Sequence, residues 1–419
     1  MKKTIAMLAL LGLLGNTASA ELLKNFKYDG KIVINAAATN NVSDADSDAK
    51  DTTSDVSPRV EINAGFDLND DVNAIVSAVK CDRQWNAAGQ KVAAGTIDSF
   101  QMEQAYLNLK GVLGFDHKVG RQYYGNEGDL VVYYGPKNMP YAYNVATPLS
   151  VTGLDAYTGW YKTGKLDIHG ILAKVANVNV AATPDADTDL VGVSAKYDLM
   201  DAVKVGAYVY EQKVYAIAAA DKTTDVVGVK ANGKFMGFDY YAEIAKNYGH
   251  KAAGVTYTGS ALLANVKYDL EVMGKWNFMG EFASGTGDKA SASKDEGFTT
   301  LNSDYRPGII FGGVSNNSGL NNLTTWNIGA KWNPSMAEKL TLTGKFHNFA
   351  TSEKVTVGAN SYEAYGNELD ITANWQHSEN VGLLAYYGAY MVDSDFAKAT
   401  LGGKDDMAST LGLAMTLKF

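Results

Sequence analysis

Charged side chains recur at every second residue through much of this sequence, with apolar residues between them. In NFKYDGKIVINA, Lys27, Asp29, Lys31 and Asn35 alternate with Phe26, Tyr28, Ile32 and Ile34. RVEINAGFDL repeats the pattern, with Arg59, Glu61, Asn63 and Asp67 opposite Val60, Ile62, Ala64 and Phe66. A period of two puts the charges on one face of an extended chain. Over the whole sequence that face carries Lys27, Lys31, Arg59, Lys118, Lys196, Lys230, Lys267, Lys331 and Lys345. Glu61, Asp155, Glu243, Glu281, Asp370 and other acids roughly match them. Most of the cations are lysine, which lacks arginine's planar fork for carboxylates. Such side chains facing water do no bond chemistry; they sort ions and polar solutes by charge and by the width of the passage.

The loop at 125–152 could narrow such a passage. It places Glu127, Asp129 and Lys137 among apolar and aromatic residues that a solvated loop would waste. Folding inward over the wet face is one reading; packing on top, or over a neighbour, is the other. Arg121, just before it, is out of phase with Lys118. It requires a bulge or an inward arginine, which makes it a candidate constriction residue. A structural ion pair is the competing account.

Other chemistry finds little support. DADSDAKDTTSD (44–55) sets Asp44, Asp46, Asp48 and Asp55 at places 1, 3, 5 and 12 of a calcium-loop pattern. Ala49 stands where that loop needs glycine, so a solvated acidic loop is the expectation, with no metal and no cofactor. His117, His169, His250, His347 and His377 lie on separate segments without metal-ligand spacing. No G-x-S-x-G or phosphate-binding loop occurs.

The elements that must hold these residues are strands. Eighteen segments are expected, near 25–38, 57–68, 72–83, 99–109, 115–124, 154–162, 165–179, 189–199, 203–216, 225–235, 238–248, 259–271, 275–284, 323–333, 340–350, 366–377, 381–391 and 408–419. Tight turns such as KTGK and VMGK alternate with long polar loops, among them 284–322 and 351–365. Short turns at one end and long loops at the other describe an all-β, transmembrane antiparallel β-barrel of about 18 strands, with periplasmic turns and extracellular loops. A soluble β-sandwich would show the same alternation with its greasy face inside. Against it stand charges on the wet face of nearly every strand. Aromatics also gather at the strand ends (Phe26, Tyr28, Trp160, Tyr161, Trp276, Trp332, Trp375, Tyr387, Phe419), as in membrane girdles.

The ends agree. Lys2 and Lys3, the run IAMLALLGLLG and NTASA read as a secretory signal peptide over 1–20, followed by one barrel domain at 21–419. Removing 1–20 takes away Lys2 and Lys3 and no acid, leaving 35 basic against 46 acidic groups, a net charge of −11. That balance argues against a nucleic-acid partner. Cys81 is the sole cysteine, so no internal disulfide is available. ASTLGLAMTLKF alternates to Phe419, which resembles the terminal aromatic that outer-membrane barrels present to their assembly machinery.

Two blocks carry a family resemblance. QAYLNLKGVLGFDHKVGRQYYGNEGDL (104–130) and YGNELDITANWQHSENVGLLAYYGAY (365–390) resemble the alginate-export-type family of outer-membrane barrels. TGLDAYTGWYKTGKLDIHG (152–170) fits that family's strand after the third long loop, and the insert containing FTTLNSDYRPG sits where such barrels carry a large extracellular loop. The resemblance implies an 18-stranded barrel; it does not carry over a substrate. An exporter of a polyanion should have an arginine-rich lumen, whereas the face read here is mixed and lysine-based. The expectation is therefore a non-enzymatic, porin-like channel for small hydrophilic solutes in the outer membrane, contacting lipid and lipopolysaccharide. The alternative is a polysaccharide or oligosaccharide exporter; an outer-membrane enzyme and a plugged adhesin follow behind.

Overall fold

The computed structural model describes residues 24–49, 52–81, 100–136, 152–176, 187–200, 202–215, 221–251 and 254–419. The leader at 1–20 and Lys137 lie outside the described residues. Among the described residues the alternating segments form twenty strands. The first five are β1 (Lys24–Asn40), β2 (Thr53–Asp67), β3 (Val72–Cys81), β4 (Gln101–Val112) and β5 (Phe115–Gln122). Next come β6 (Leu154–Thr163), β7 (Leu166–Ala176), β8 (Thr188–Met200), β9 (Val203–Val214) and β10 (Lys222–Phe235). Then follow β11 (Phe238–Lys251), β12 (Val255–Tyr257), β13 (Ser260–Glu271), β14 (Gly274–Gly285) and β15 (Lys294–Asp295). The last are β16 (Leu323–Pro334), β17 (Leu340–Val357), β18 (Asn360–Gln376), β19 (Val381–Val392) and β20 (Ala408–Lys418).

The short β12 and β15 pair with each other above the wall, which leaves eighteen strands in a closed antiparallel barrel. Closure comes from β1 against β20, with Lys31 opposite Lys418 and Asn40 opposite Ser409. Closing the sheet leaves no strand edge unpaired, the condition for a sheet to survive in lipid. At the seam Gly30 and Phe419 exchange backbone hydrogen bonds of 3.0 Å. A Cβ on Gly30 would lie 2.6 Å from the Phe419 ring, so only glycine lets that ring lie flat there.

The side-chain period decides which face meets lipid. Val191, Val193, Val227, Val229, Ile244, Leu411 and Leu413 are exposed on the outside, while Leu190, Val226, Ala245 and Ala283 point inward and are buried. This is a soluble protein turned inside out. At the short-turn end aromatic pairs form a girdle, with ring centroids 5.3 Å apart for Phe115 and Tyr161, 4.8 Å for Phe238 and Tyr268, and 5.1 Å for Trp276 and Trp332. Trp160 departs from that expectation: it shares a face with Thr158 and faces the interior. The tightest turns use two residues of positive φ, as at Met236 (49°) and Gly237 (87°), the twist that joins adjacent right-handed strands.

Two expected loops turn out otherwise. The segment 351–365 continues the β17–β18 hairpin beyond the barrel wall, because Val355–Val357 pair with Asn360–Tyr362. Val355, Val357 and Tyr362 share one face there, an apolar period too short to mark the segment as strand. Residues Ser394–Thr400 form a short helix, α1, whose start is capped by the Asp393 carboxylate accepting from Asp395 N and Phe396 N.

Candidate functional site: a constriction of two inward loops

The loop after β5 enters the barrel. A bridge between Tyr124 and Tyr134 folds it into a hairpin, and Leu130, Val131 and Val132 are buried at its tip. They pack on the inward side chains of the β7–β10 wall, Ile171, Leu190, Tyr208, Tyr210 and Val226. Burying each aliphatic side chain is worth about 1.5–3 kcal/mol, enough to draw a loop out of water. Asp129 then meets Lys230, Nζ to Oδ1 3.1 Å. Lys230 is backed by Glu243, 3.6 Å away, whose carboxylate also accepts Tyr208 Oη–H at 2.6 Å and Tyr241 Oη–H at 2.5 Å.

The loop after β14, expected outside, also turns inward. Phe298 and Leu301 pack with Ala245, Ala261, Leu263 and Ala283 of the facing wall. The segment continues to Tyr305, whose hydroxyl donates to Glu281 Oε1 at 2.9 Å. A π-helical turn, Gly308–Val314, follows. Its leading amides donate to two buried wall carboxylates of β18: Ile309 N to Asp370 Oδ2 at 3.1 Å, Ile310 N to Glu368 Oε1 at 2.6 Å and Phe311 N to Glu368 Oε2 at 2.9 Å. His347 Nε2 lies 3.2 Å from Asp370 Oδ2, and Phe311 stacks on Phe349 at 4.1 Å.

β5 and β14 stand on opposite sides of the ring, and their loops meet inside it. Leu301 N and Asn302 N donate to Val131 O, Tyr133 N donates to Asn302 O, and Asp304 N donates to Asp129 O, all within 2.8–3.1 Å. Gly128 N adds a bond of 2.9 Å to Asp304 Oδ2. Arg306 Nε is 3.5 Å from Asp304 Oδ1, and its Nη1 donates to Asn316 Oδ1 at 2.8 Å. Burial pulls the Arg306 guanidinium below its ordinary value and Asp304 opposes that, while burial pushes the Tyr305 hydroxyl up, which keeps it a donor.

The wall residues read from sequence divide. Lys27, Lys31, Arg59, Glu61, Lys118, Lys196, Lys230, Lys267, Lys331, Lys345 and Asp370 share the inward parity of their strands. Glu61 sits between Arg59 (3.3 Å) and Lys31 (3.7 Å). Arg121 and Asp155 do not line the interior. Arg121 has the parity of lipid-facing Val119, and Asp155 that of Tyr157. Register through β5 and β6 is continuous, so no bulge turns either inward. They form a two-bond ion pair of 2.9 Å on the outside, in a row with Lys174–Asp189 (2.7 Å) and Lys213–Asp221 (3.1 Å) just above the aliphatic belt. Of the loop residues, Glu127 and Asp129 are in the interior. The acidic tract near 44–48 is occupied by an ammonium: Lys404 Nζ lies 3.1 Å from Asp46 and 3.5 Å from Asp48. Among the described residues no group of three or more His, Cys, Asp or Glu is placed to hold a metal.

Sequence reasoning missed Glu368, Asp304 and Arg306. The only signal for Glu368 was its place on the wet face of ELDITANWQ; Asp304 and Arg306 had none beyond the aromatic SDYRPG context.

A closed barrel with a greasy exterior and a charged, loop-narrowed interior is a porin-like channel of the outer membrane. Solved porins of Pseudomonas aeruginosa share the architecture: OccK11 (OpdR) at TM-score 0.59 and 11% identity, covering 95% of this chain and 98% of that one. OccK8 (OprE) gives 0.59 and 10%, with 95% and 99% covered, and OpdK solved with vanillate gives 0.61 and 8%, with 95% and 99% covered. No curated protein matches. The chain belongs to the alginate export family, whose model matches residues 39–400.

Proposed function

We propose that this member of the family is a constricted diffusion channel that passes small hydrophilic solutes down their gradients. The carrying observation is the pair of loops that meet inside the lumen and are tied to its wall by the Asp129–Lys230 ion pair and by hydrogen bonds. A continuous guide for a polyuronate needs arginines free to fork carboxylates along its path. The sequence has four arginines. Of the three described, Arg59 is paired with Glu61, Arg306 with Asp304, and Arg121 faces outward with Asp155. The family match favours a second reading, export of an acidic polysaccharide, and one experiment separates the two. Reconstituted in planar bilayers, a diffusion pore gives stable ohmic conductance that oligouronates do not block at low concentration. High-affinity block would favour the exporter, and a barrel that inserts but stays silent would overturn both.

Residues 1–20 are proposed to direct export and to be removed. The outward ion-pair row on β5–β10 supports contact with the headgroups of lipopolysaccharide. Phe419, set in the closing seam, supports an assembly signal: deleting it should lower the amount of folded barrel in the membrane while leaving single-channel conductance unchanged. Equal amounts would count against that role.

A further inference from the structure

The segment SNNSGLNN, residues 315–322, follows the π-helical turn and carries amides and hydroxyls but no charge. Hydrogen bonds to the residues before it fix its path: Ser315 N donates to Ile310 O at 2.8 Å, Gly319 N to Tyr305 O at 2.9 Å, and Arg306 Nη1 to Asn316 Oδ1 at 2.8 Å. Between this segment, the 41–49 loop and α1, at the long-loop end of β18–β20, opens a cavity of about 370 Å³. Its inner side is aromatic. Phe311, Tyr365, Tyr390 and Phe396 line it, with ring centroids 5.7 Å apart for Phe311 and Tyr365 and 5.5 Å for Tyr365 and Phe396. The Tyr390 hydroxyl is taken by Tyr365 O at 2.6 Å. The outer side is polar. Ser315, Asn317, Ser318 and Asn321 are exposed along its rim, and their side chains make no hydrogen bond among the described residues. Among the described residues that line it there is no Asp, Glu, Lys, Arg or His.

We propose that this cavity binds one ring of a neutral saccharide at the extracellular mouth, with a C–H face against the aromatic side and hydroxyls against Asn317 and Asn321. The lining selects that class. An ion entering it sheds water and meets no counter-charge, which is costly. An apolar ligand covers the rim amides and hydroxyls without giving them a partner. A pyranose offers what both sides need: C–H-rich faces for the rings, and hydroxyls that donate and accept as an amide side chain does. The volume falls among those of small-ligand sites, about 300–1,000 Å³. Because the rim segment is already fixed, little further ordering opposes binding. The proposal goes beyond the diffusion reading and does not need it, since occupancy can be measured on the folded barrel whether or not it conducts.

The test uses saturation-transfer NMR on the full-length barrel in an amine-oxide detergent, which carries no sugar headgroup. Methyl glycosides of glucose, galactose, mannose and N-acetylglucosamine are the neutral probes, and glucuronate is the charged one. At least one neutral probe should receive saturation, most strongly at its ring C–H protons. It should bind at least about tenfold more tightly than glucuronate, whose carboxylate would be buried without a partner. Asn317→Ala with Asn321→Ala should weaken that binding about two- to tenfold for each hydrogen bond lost. Phe396→Leu, which keeps α1 apolar but removes a ring, should reduce transfer to the C–H protons. Asn317→Lys supplies a counter-charge and should shift the preference toward glucuronate. Heat-modifiable migration reports folding, and the two single alanine variants stand in for the double one if it does not fold. No transfer to any of the four neutral probes overturns the proposal. Wild-type binding of glucuronate as tight as theirs overturns it too, as does binding that no folded rim variant weakens. The diffusion reading is decided separately, by conductance.

Discussion

The two inward loops reach the same place by different attachments. The loop after β5 packs its aliphatic tip on the wall and has one ionic tie to it: Lys230 meets its Asp129, and Glu243 with two tyrosines holds Lys230 in position. The loop after β14 presents backbone. Three successive amides of its π-helical turn are taken by Glu368 and Asp370, and Tyr305 is taken by Glu281. A single half-buried cation is a tie that one substitution removes. Amide bonds shared over several wall acceptors distribute the load, and each can be lost separately.

That contrast orders the outcomes of substitution. Lys230→Met should have the largest effect. It leaves Asp129 and the fully buried Glu243 without their counter-charge, and breaking a buried pair costs about 3–5 kcal/mol. The first loop should leave the wall, seen as higher and noisier single-channel conductance and faster proteolysis between Tyr124 and Tyr134. Conductance equal to wild type would show that the aliphatic tip alone holds the loop. Glu368→Gln should do less. The amide oxygen still accepts one of the two backbone N–H groups, so about 1–3 kcal/mol is lost for the other. Proteolysis at Arg306 should rise while the first loop stays protected; loss of protection in both would mean that the loops are held as one unit.

Arg121→Gln sharpens the comparison from outside. Its pair with Asp155 is exposed and faces away from the lumen, so about 0.2–1 kcal/mol of stability is at stake. Ion selectivity should not move. A shifted reversal potential would place this residue in the conduction path and contradict its strand parity. The smallest effect belongs to the outer clasp between the 41–49 loop and Lys404. The Lys404 hydrogen bond holds the Asp46 carboxyl below its ordinary value. A depressed folded-state value means that the clasp contributes above the unfolded carboxylate value and is lost as pH falls through the lower one. Hydrogen exchange at residues 44–48 should therefore quicken on acidification while the loops inside the barrel stay protected. Uniform exchange across that range would remove Lys404 from the account.

By itself the sequence determined the barrel, because a period of two with charges on one face and aliphatics on the other has few solutions once turn lengths alternate. It also marked Asp129 and its apolar neighbours as a loop that must pack on something, since buried aliphatics leave a signature in residue type, and left open whether that was the lumen or the barrel's rim. The second loop left almost none. Glu368 and Asp370 hold backbone amides, which every residue but proline owns, so no residue type in 308–314 announces the contact. Asp155 read as an interior charge because its kind is common there, and Arg121, out of phase with Lys118, did so only by way of a bulge that the paired strands do not contain. Strand parity, a property of the paired sheet and not of the residues, turned them outward. The charge balance of the lumen was visible as a near match of lysines and acids. Only the tertiary structure showed which of these charges consume one another, Lys230 with Asp129 and Glu243 for one, because pairing inside a ring requires knowing which strands and loops meet.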